Sequence, residues 1–199
     1  MIMTNRFQTA ASALRFIFFG QLLSILSALH PLFGFAGSLF VLYGIFKART
    51  ANKFFDKAFM MMMTNILISL ALPLLQLIPG LVDMTTVFSV IILIVSAASS
   101  VIAFFQNFYI IKGTMELLEE LREEEIIRKG ELVWKLLIVL MVINLVLPLI
   151  LFISIPENAL NMIAAAISVF NIFAVVMFLI FIYKSFNVFI HADDNVINV

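Results

Sequence analysis

Cysteine is absent from this chain of 199 residues, which removes disulfides, thiolate metal sites and cysteine nucleophiles together. Histidine is almost absent: only His30 and His191 occur, and they are too far apart in sequence to suggest a paired imidazole site. His191-Ala192-Asp193-Asp194 sets one imidazole beside two carboxylates, a weak ligand set, and His30 stands alone beside Pro31. Charge is scarce, at 12% of residues, and twelve Lys and Arg balance twelve Asp and Glu, so no net field points to nucleic acid. There is no Gly-rich phosphate loop, no GxSxG and no HExxH. Neither a cofactor, nor a metal, nor a catalytic residue is expected, and the chain is read as non-enzymatic.

What the chain has instead is apolar length. Hydrophobic residues make up 64% and the mean hydropathy is +1.17, against roughly half apolar and a quarter charged in a soluble domain. A multi-pass protein of the cell membrane is expected. The stretch KLLIVLMVINLVLPLILFISIP, residues 135–156, encloses twenty uncharged residues, enough at about 1.5 Å per helical residue for a hydrocarbon core of roughly 30 Å. It carries Asn144 and, four residues on, Pro148, which lacks an N–H and frees the carbonyl of Asn144. MTNILISLALPLLQLIP, residues 63–79, repeats the arrangement with Asn65, Ser69 and Pro73. Pro73 and Pro148 are therefore expected to kink two membrane helices at matching places.

The uncharged run 16–46 is long for one crossing and short for two. A single crossing would set Lys47, Arg49, Lys53 and Lys57 opposite Arg6 and Arg15, against the positive-inside rule. Two short helices turning at His30-Pro31 are expected, with a re-entrant hairpin as the competing reading. Arg6 and Arg15 ahead of an apolar run also have the layout of a signal peptide; the segment is read as retained. The expected fold is all-α, a single membrane domain over 1–199 built as a six-transmembrane-helix bundle of three hairpins with both termini cytoplasmic. The helices are placed at 7–29, 32–47, 58–78, 86–111, 134–155 and 160–184. A charged cytoplasmic helix at 115–129 joins the fourth and fifth, with Thr114 and Gly130 as its caps, and the tail 185–199 is expected to have little order beyond Phe189.

This threading leaves all twelve Lys and Arg inside and only Asp83 and Glu157 outside. Tyr43, Tyr109, Tyr183 and Trp134 each lie within four residues of a lysine, a belt at the inner interface. Each hairpin turns at a proline (Pro31, Pro79, Pro156) and returns as YGIFK, YIIK or YK. Internal duplication is one reading of that pattern, and the usual composition of an inner boundary is the other. Small residues at 96–100 and 164–168 mark faces for close helix packing.

Asn65, Ser69, Asn144 and Asn171, with Gln21 from the first hairpin, are the candidate ligand-binding residues, placed between the third, fifth and sixth helices. Interrupted helices of transporters border substrate sites because freed carbonyls and polar side chains need partners. Packing alone is the competing account, since amides and hydroxyls in membrane helices bond to neighbours for about 0.6–2 kcal/mol without any ligand. No Asp, Glu or Lys lies deep in this threading, which argues against proton relays and voltage sensors and leaves a small neutral or apolar ligand. The acidic segment 115–129 offers Glu119, Glu120, Glu123 and Glu124 as docking residues for a cytosolic protein partner. Leu117, Leu118, Leu121, Ile126 and Ile127 give it an apolar stripe that must be covered by the protein, the membrane surface or a partner. The basic loop 47–57 offers the opposite account, neutralisation within one molecule.

Two functions follow. The first is binding or passage of a small neutral or apolar solute between kinked helices, as the membrane subunit of a larger transport complex. Length and helix count are shared with small solute-binding membrane subunits of bacterial uptake systems, an analogy of architecture that carries no residue across. The alternative is a membrane scaffold or immunity-type interaction protein, or a homo-oligomer, acting through its helix faces and the acidic segment. In both, the lipid bilayer surrounds the chain and nucleic acid has no part.

Overall fold

A computed structural model describes the backbone over residues 2–76, 85–150 and 157–196, and within these the side chains of 6–27, 29–30, 32–70, 88–146 and 158–192. Among the described residues the chain is all-helical: α1 (Ile2–Ile25), a 3₁₀ turn (Leu26–Ala28), α2 (Pro31–Ala48), α3 (Lys53–Gln76), α4 (Thr85–Glu120), α5 (Glu124–Ile150) and α6 (Glu157–Val196). Consecutive helices pack on one another and α6 closes onto α1, so the six make a ring. Among the described residues two of them, over Phe88–Glu120 and Asn158–Ala192, are long and apolar enough to cross a membrane; the apolar Leu32–Ala48 is shorter. None of the most apolar part of α4 is buried inside the protein. That argues against α4 being the core helix of a water-soluble fold.

His30 begins α2. Its backbone is extended (φ −158°, ψ 132°) and its Nδ1 accepts a hydrogen bond from the Leu32 N–H, with Pro31 at the first helical position, where a missing N–H does no harm. Asn52 does the same for α3, its Oδ1 accepting from the Phe54 N–H at 2.8 Å, and Asp56 sits in the first turn, where the helix dipole favours a carboxylate. These two features start α3 at Lys53, five residues ahead of the expected 58. Pro73 and Pro148 lie on α3 and α5 outside the residues whose side chains are described, and so do the turns at Pro79 and Pro156.

The packing is concentrated at one end. Phe7, Leu14 and Ile17 of α1, Ile45 and Ala48 of α2, Phe55 and Ala58 of α3, Ile110, Leu117 and Leu118 of α4, Val133 of α5, and Phe181, Ile182 and Phe189 of α6 form one core. The same end gathers the charges. Arg6 pairs with Glu120, Asn52 donates to Glu116, Lys47 Nζ donates to Ser12 Oγ at 2.7 Å, and Lys184 lies 3.8 Å from Glu125. The expected aromatic belt is assembled there as well: Tyr43 meets Phe16 edge-on, Phe54 stacks on Tyr109, and Trp134 meets Phe108 edge-on.

Two expectations change at this end. The segment 115–129 is helical but is not a separate helix: α4 runs through Lys112-Gly113 to Glu120, the chain reverses at 121–123, and α5 runs from Glu124 through Gly130. The reversal is closed by bonds from the Glu123 N–H to the Leu118 carbonyl and from the Arg122 N–H to the Glu119 carbonyl, a Schellman closure with Arg122 at φ 60°. Thr114 bonds its own helix at the Ile110 carbonyl. Gly113 faces Phe54 and Phe55, and Gly130 faces Met115 and Phe181, where an added Cβ would come within 2.9–3.2 Å. Both glycines serve close packing rather than capping. The tail also differs, because α6 continues to Val196 with Ser185, Phe189 and Ala192 buried and Phe189 against Phe7.

Glycine also sets the α1–α2 seam. An ideal Cβ on Gly20 would lie 2.7 Å from the Gly37 carbonyl oxygen; one on Gly37 would lie 2.5 Å from the Gly20 oxygen; one on Gly44 would lie 2.7 Å from the Ala13 oxygen. Backbones in such contact are the usual solution for helix association in lipid, where small residues replace hydrophobic driving force with close packing. The triplet at 164–166 of α6, expected to serve that purpose, is exposed.

Candidate functional site

Toward the opposite end the helices part, and between α1, α2, α3 and α4 they leave a cavity of about 660 Å³. This is within the roughly 300–1,000 Å³ range of small-molecule sites. Its polar lining is Gln21 and Ser24 from α1, Ser38 from α2, Asn65 and Ser69 from α3, and Gln106 and Asn107 from α4; the rest is apolar, including Phe35, Leu39, Val41, Leu42, Met62, Met63, Ile66, Leu70 and Ala103. Among the described residues no charged side chain lines it.

The polar groups differ in how far they are committed. Ser24 and Ser38 donate to the carbonyls of Gly20 and Gly34 one turn back, the ordinary way a hydroxyl satisfies itself on a helix. Asn65 is held across the α3–α4 seam, its Oδ1 accepting from Ser99 Oγ, which fixes the amide. Gln106 is buried. Asn107 Oδ1 is buried with no hydrogen-bond partner in the protein. An orphaned amide oxygen carries a desolvation penalty of about 1–3 kcal/mol.

Three of the five expected site residues, Gln21, Asn65 and Ser69, share this cavity. Asn144 and Asn171 do not line it; Asn144 is half-buried on α5, and Asn171 donates to the Ile167 carbonyl of its own helix at 3.1 Å. The cavity therefore lies between α1 and α4 rather than against the fifth and sixth helices. Gln106 and Asn107 were missed. Their signal was depth: Gln21, Asn65, Gln106 and Asn107 all stand five to eight residues from the nearest lysine or arginine of their helix, whereas Asn144 is nine and Asn171 thirteen away.

The docking candidates lose their motive. Leu117, Leu118 and Ile126 are buried, and Leu121 and Ile127 pack against the same core, so the stripe is covered by the protein itself. Glu120 is paired with Arg6 and Glu124 lies 3.6 Å from Arg128, while Glu119 is exposed and Glu123 half-buried. Near them a second, shallow cavity of about 350 Å³ is lined by Arg6, Arg49 and Lys53 together with Glu116 and Glu120, and Arg49 of the basic loop pairs with Asp56 of the same loop. Among the described residues no cluster of His, Asp and Glu is suited to a metal. In comparisons with protein families, with curated proteins and with solved structures, the chain matches none.

Proposed function

We propose that the chain is a non-enzymatic membrane protein of six crossings, both termini cytoplasmic, that binds a small neutral or apolar solute in the cavity between α1 and α4. The observation that carries this reading is the cavity itself: about 660 Å³, apolar over most of its wall, with amides from three helices and, among the described residues, no charge. Convergent neutral polar groups in an apolar pocket are the general signature of a small-molecule site. The six crossings are supported by the collection of basic side chains at one end and by the large apolar side chains, such as Ile25, Leu67 and Val169, that face outward on α1, α3 and α6. Passage of the solute through a larger transport complex remains compatible with this site and adds nothing to its geometry.

Filling the cavity tests the reading. Ala103 lines it, and Ala103→Trp should abolish retention of a small molecule seen by native mass spectrometry in protein extracted gently from membranes. The thermal midpoint of the variant should stay near that of the wild type. Equal retention in both proteins would place the molecule elsewhere, and no retained mass in the wild type, together with an unreactive thiol in Ala103→Cys, would show the space to be closed.

A further inference from the structure

The cavity has a direction. Its α1 and α4 walls are half-buried or buried, whereas on the α2 and α3 side Phe35 (65% exposed), Leu39 (50%), Met63 (38%) and Leu70 (55%) both line it and face outward. Toward the loop that joins α2 and α3, Val41, Ile45, Ala48, Phe55, Ala58 and Met62 are buried. Above it the two helices leave a slot with apolar lips. In the bilayer setting proposed above, such a slot opens onto hydrocarbon rather than water.

The polarity is graded along the same axis. Gln21, Asn65, Gln106 and Asn107 lie five to eight residues from the nearest cation of their own helices, or about 8–12 Å at 1.5 Å per residue. Phe35 and Leu70 stand further from the charged end on α2 and α3. A lipid molecule in a leaflet has the same order, with its head toward the charged boundary and its tail toward the midplane. The head is uncharged, because an ion at this depth is costly without a counter-charge and among the described residues no charged side chain lines the cavity.

We infer that the ligand is a membrane-dissolved amphipath with a small neutral head carrying a hydrogen-bond donor, reaching the amides of Gln21, Asn65, Gln106 and Asn107 laterally from the bilayer through the slot between α2 and α3. This rests on the cavity being a binding site and adds the ligand's class and its route. The amides of Gln21, Asn65, Gln106 and Asn107 line the cavity where the head lies, and Leu39, Met63 and Leu70 flank the tail.

Because the chain has no cysteine, Ala103→Cys puts a single thiol on the cavity wall. In nanodiscs, dodecyl maleimide should label it at least about tenfold faster than a sulfonated, water-confined maleimide. Adding Leu39→Trp with Leu70→Trp should slow the dodecyl reagent by about tenfold, while labelling of Ile172→Cys, on an exposed stretch of α6, keeps its rate and reports an intact fold. A monoacylglycerol should protect the cavity thiol and the corresponding fatty acid should not. Equal rates for the two maleimides, indifferent to the tryptophans, would mean access from water; the lateral route would then be wrong while the binding site stood. Equal protection by the fatty acid would overturn the neutral head, and no labelling by either reagent would overturn both the route and the site.

Discussion

Gly37→Ala adds one methyl group to the middle of α2, where intrinsic propensity favours alanine over glycine by about 1 kcal/mol. The seam opposes it. The new Cβ would fall 2.5 Å from the Gly20 oxygen, 2.5 Å from Ser24 Oγ and 2.8 Å from the Ser24 nitrogen. Two of the three are backbone atoms of a helix and cannot rotate aside, so α1 and α2 must separate by at least about half an ångström to restore ordinary contact distances. Overpacking of this kind costs about 1–3 kcal/mol, and with unyielding backbone the upper part of that range applies. A net loss of about 1–2 kcal/mol is therefore expected after the propensity gain. Reversible SDS unfolding in mixed micelles measures it. Gly34→Ala supplies the contrast, because its Cβ meets only the Ser27 side chain, at 2.9 Å, and adding Ser27→Gly should remove that contact and recover the loss. Ser24→Ala should recover little in Gly37→Ala, since both backbone contacts persist. A neutral or stabilising Gly37→Ala would show that the helices do not approach as described.

Three further outcomes are expected. Arg122 holds φ 60°, a conformation that costs a side chain about 1–2 kcal/mol; Arg122→Gly should raise unfolding stability by about 0.5 kcal/mol after its greater chain entropy is offset, and Arg122→Val should lower it in the same denaturation assay. The Arg6–Glu120 pair is about two-thirds shielded whereas Arg128–Glu124 is almost fully exposed, so Glu120→Gln should lose about 0.5–1 kcal/mol and Glu124→Gln nothing measurable. The hydrogen bond from Lys129 holds the Glu125 carboxyl below the ordinary carboxylate range, and Glu125 holds the Lys129 ammonium above its own. A lowered carboxylate stabilises the fold at neutral pH and stops doing so as pH falls through its folded value, below about 4.3; a raised ammonium stabilises below about pH 10.4 and stops as pH climbs through its folded value. Unfolding midpoints of wild type and Lys129→Gln, followed against pH, should converge at both extremes.

The helical class and most helix positions were legible because apolar runs and lysines mark them directly. The turn at 121–123 was not. Leu121, Arg122, Glu123 and Glu124 are all good helix formers, and the left-handed position that ends α4 is held by Arg122 without the glycine that ordinarily announces it. Gly113 and Gly130 pointed the wrong way, because a glycine that ends a helix and a glycine that admits a neighbouring ring are the same letter. Only the neighbours, Phe55 and Phe181, tell them apart, and those come from distant parts of the chain. The cavity was half legible. Gln21, Asn65 and Ser69 stood out as polar residues in apolar helices, but pairing Asn65 with Asn144 followed the matching prolines rather than depth, and the ring order places α4, not α5, beside α3.

That ring order also explains why the glycine seam and the cavity belong to one design. On α2, Gly34, Gly37, Val41 and Gly44 recur at helical spacing and meet the 3₁₀ turn or α1, while Phe35, Ser38, Leu39 and Leu42 recur at the same spacing and line the cavity, which Val41 also borders. At about 100° per residue the two stripes point some 130° apart on one helix. Because glycine and backbone fill the first stripe, the helix lies flat against α1, and that fixes the direction of the second. The seam is thus more than a source of stability. Any side chain large enough to lift α2 from α1 displaces Leu39 and Ser38 relative to Asn65 and Gln106, and the damage to ligand retention should exceed what lost stability alone predicts. Gly113, Gly130 and their aromatic neighbours are not among the residues that line the cavity, so the packed charged end has no such lever.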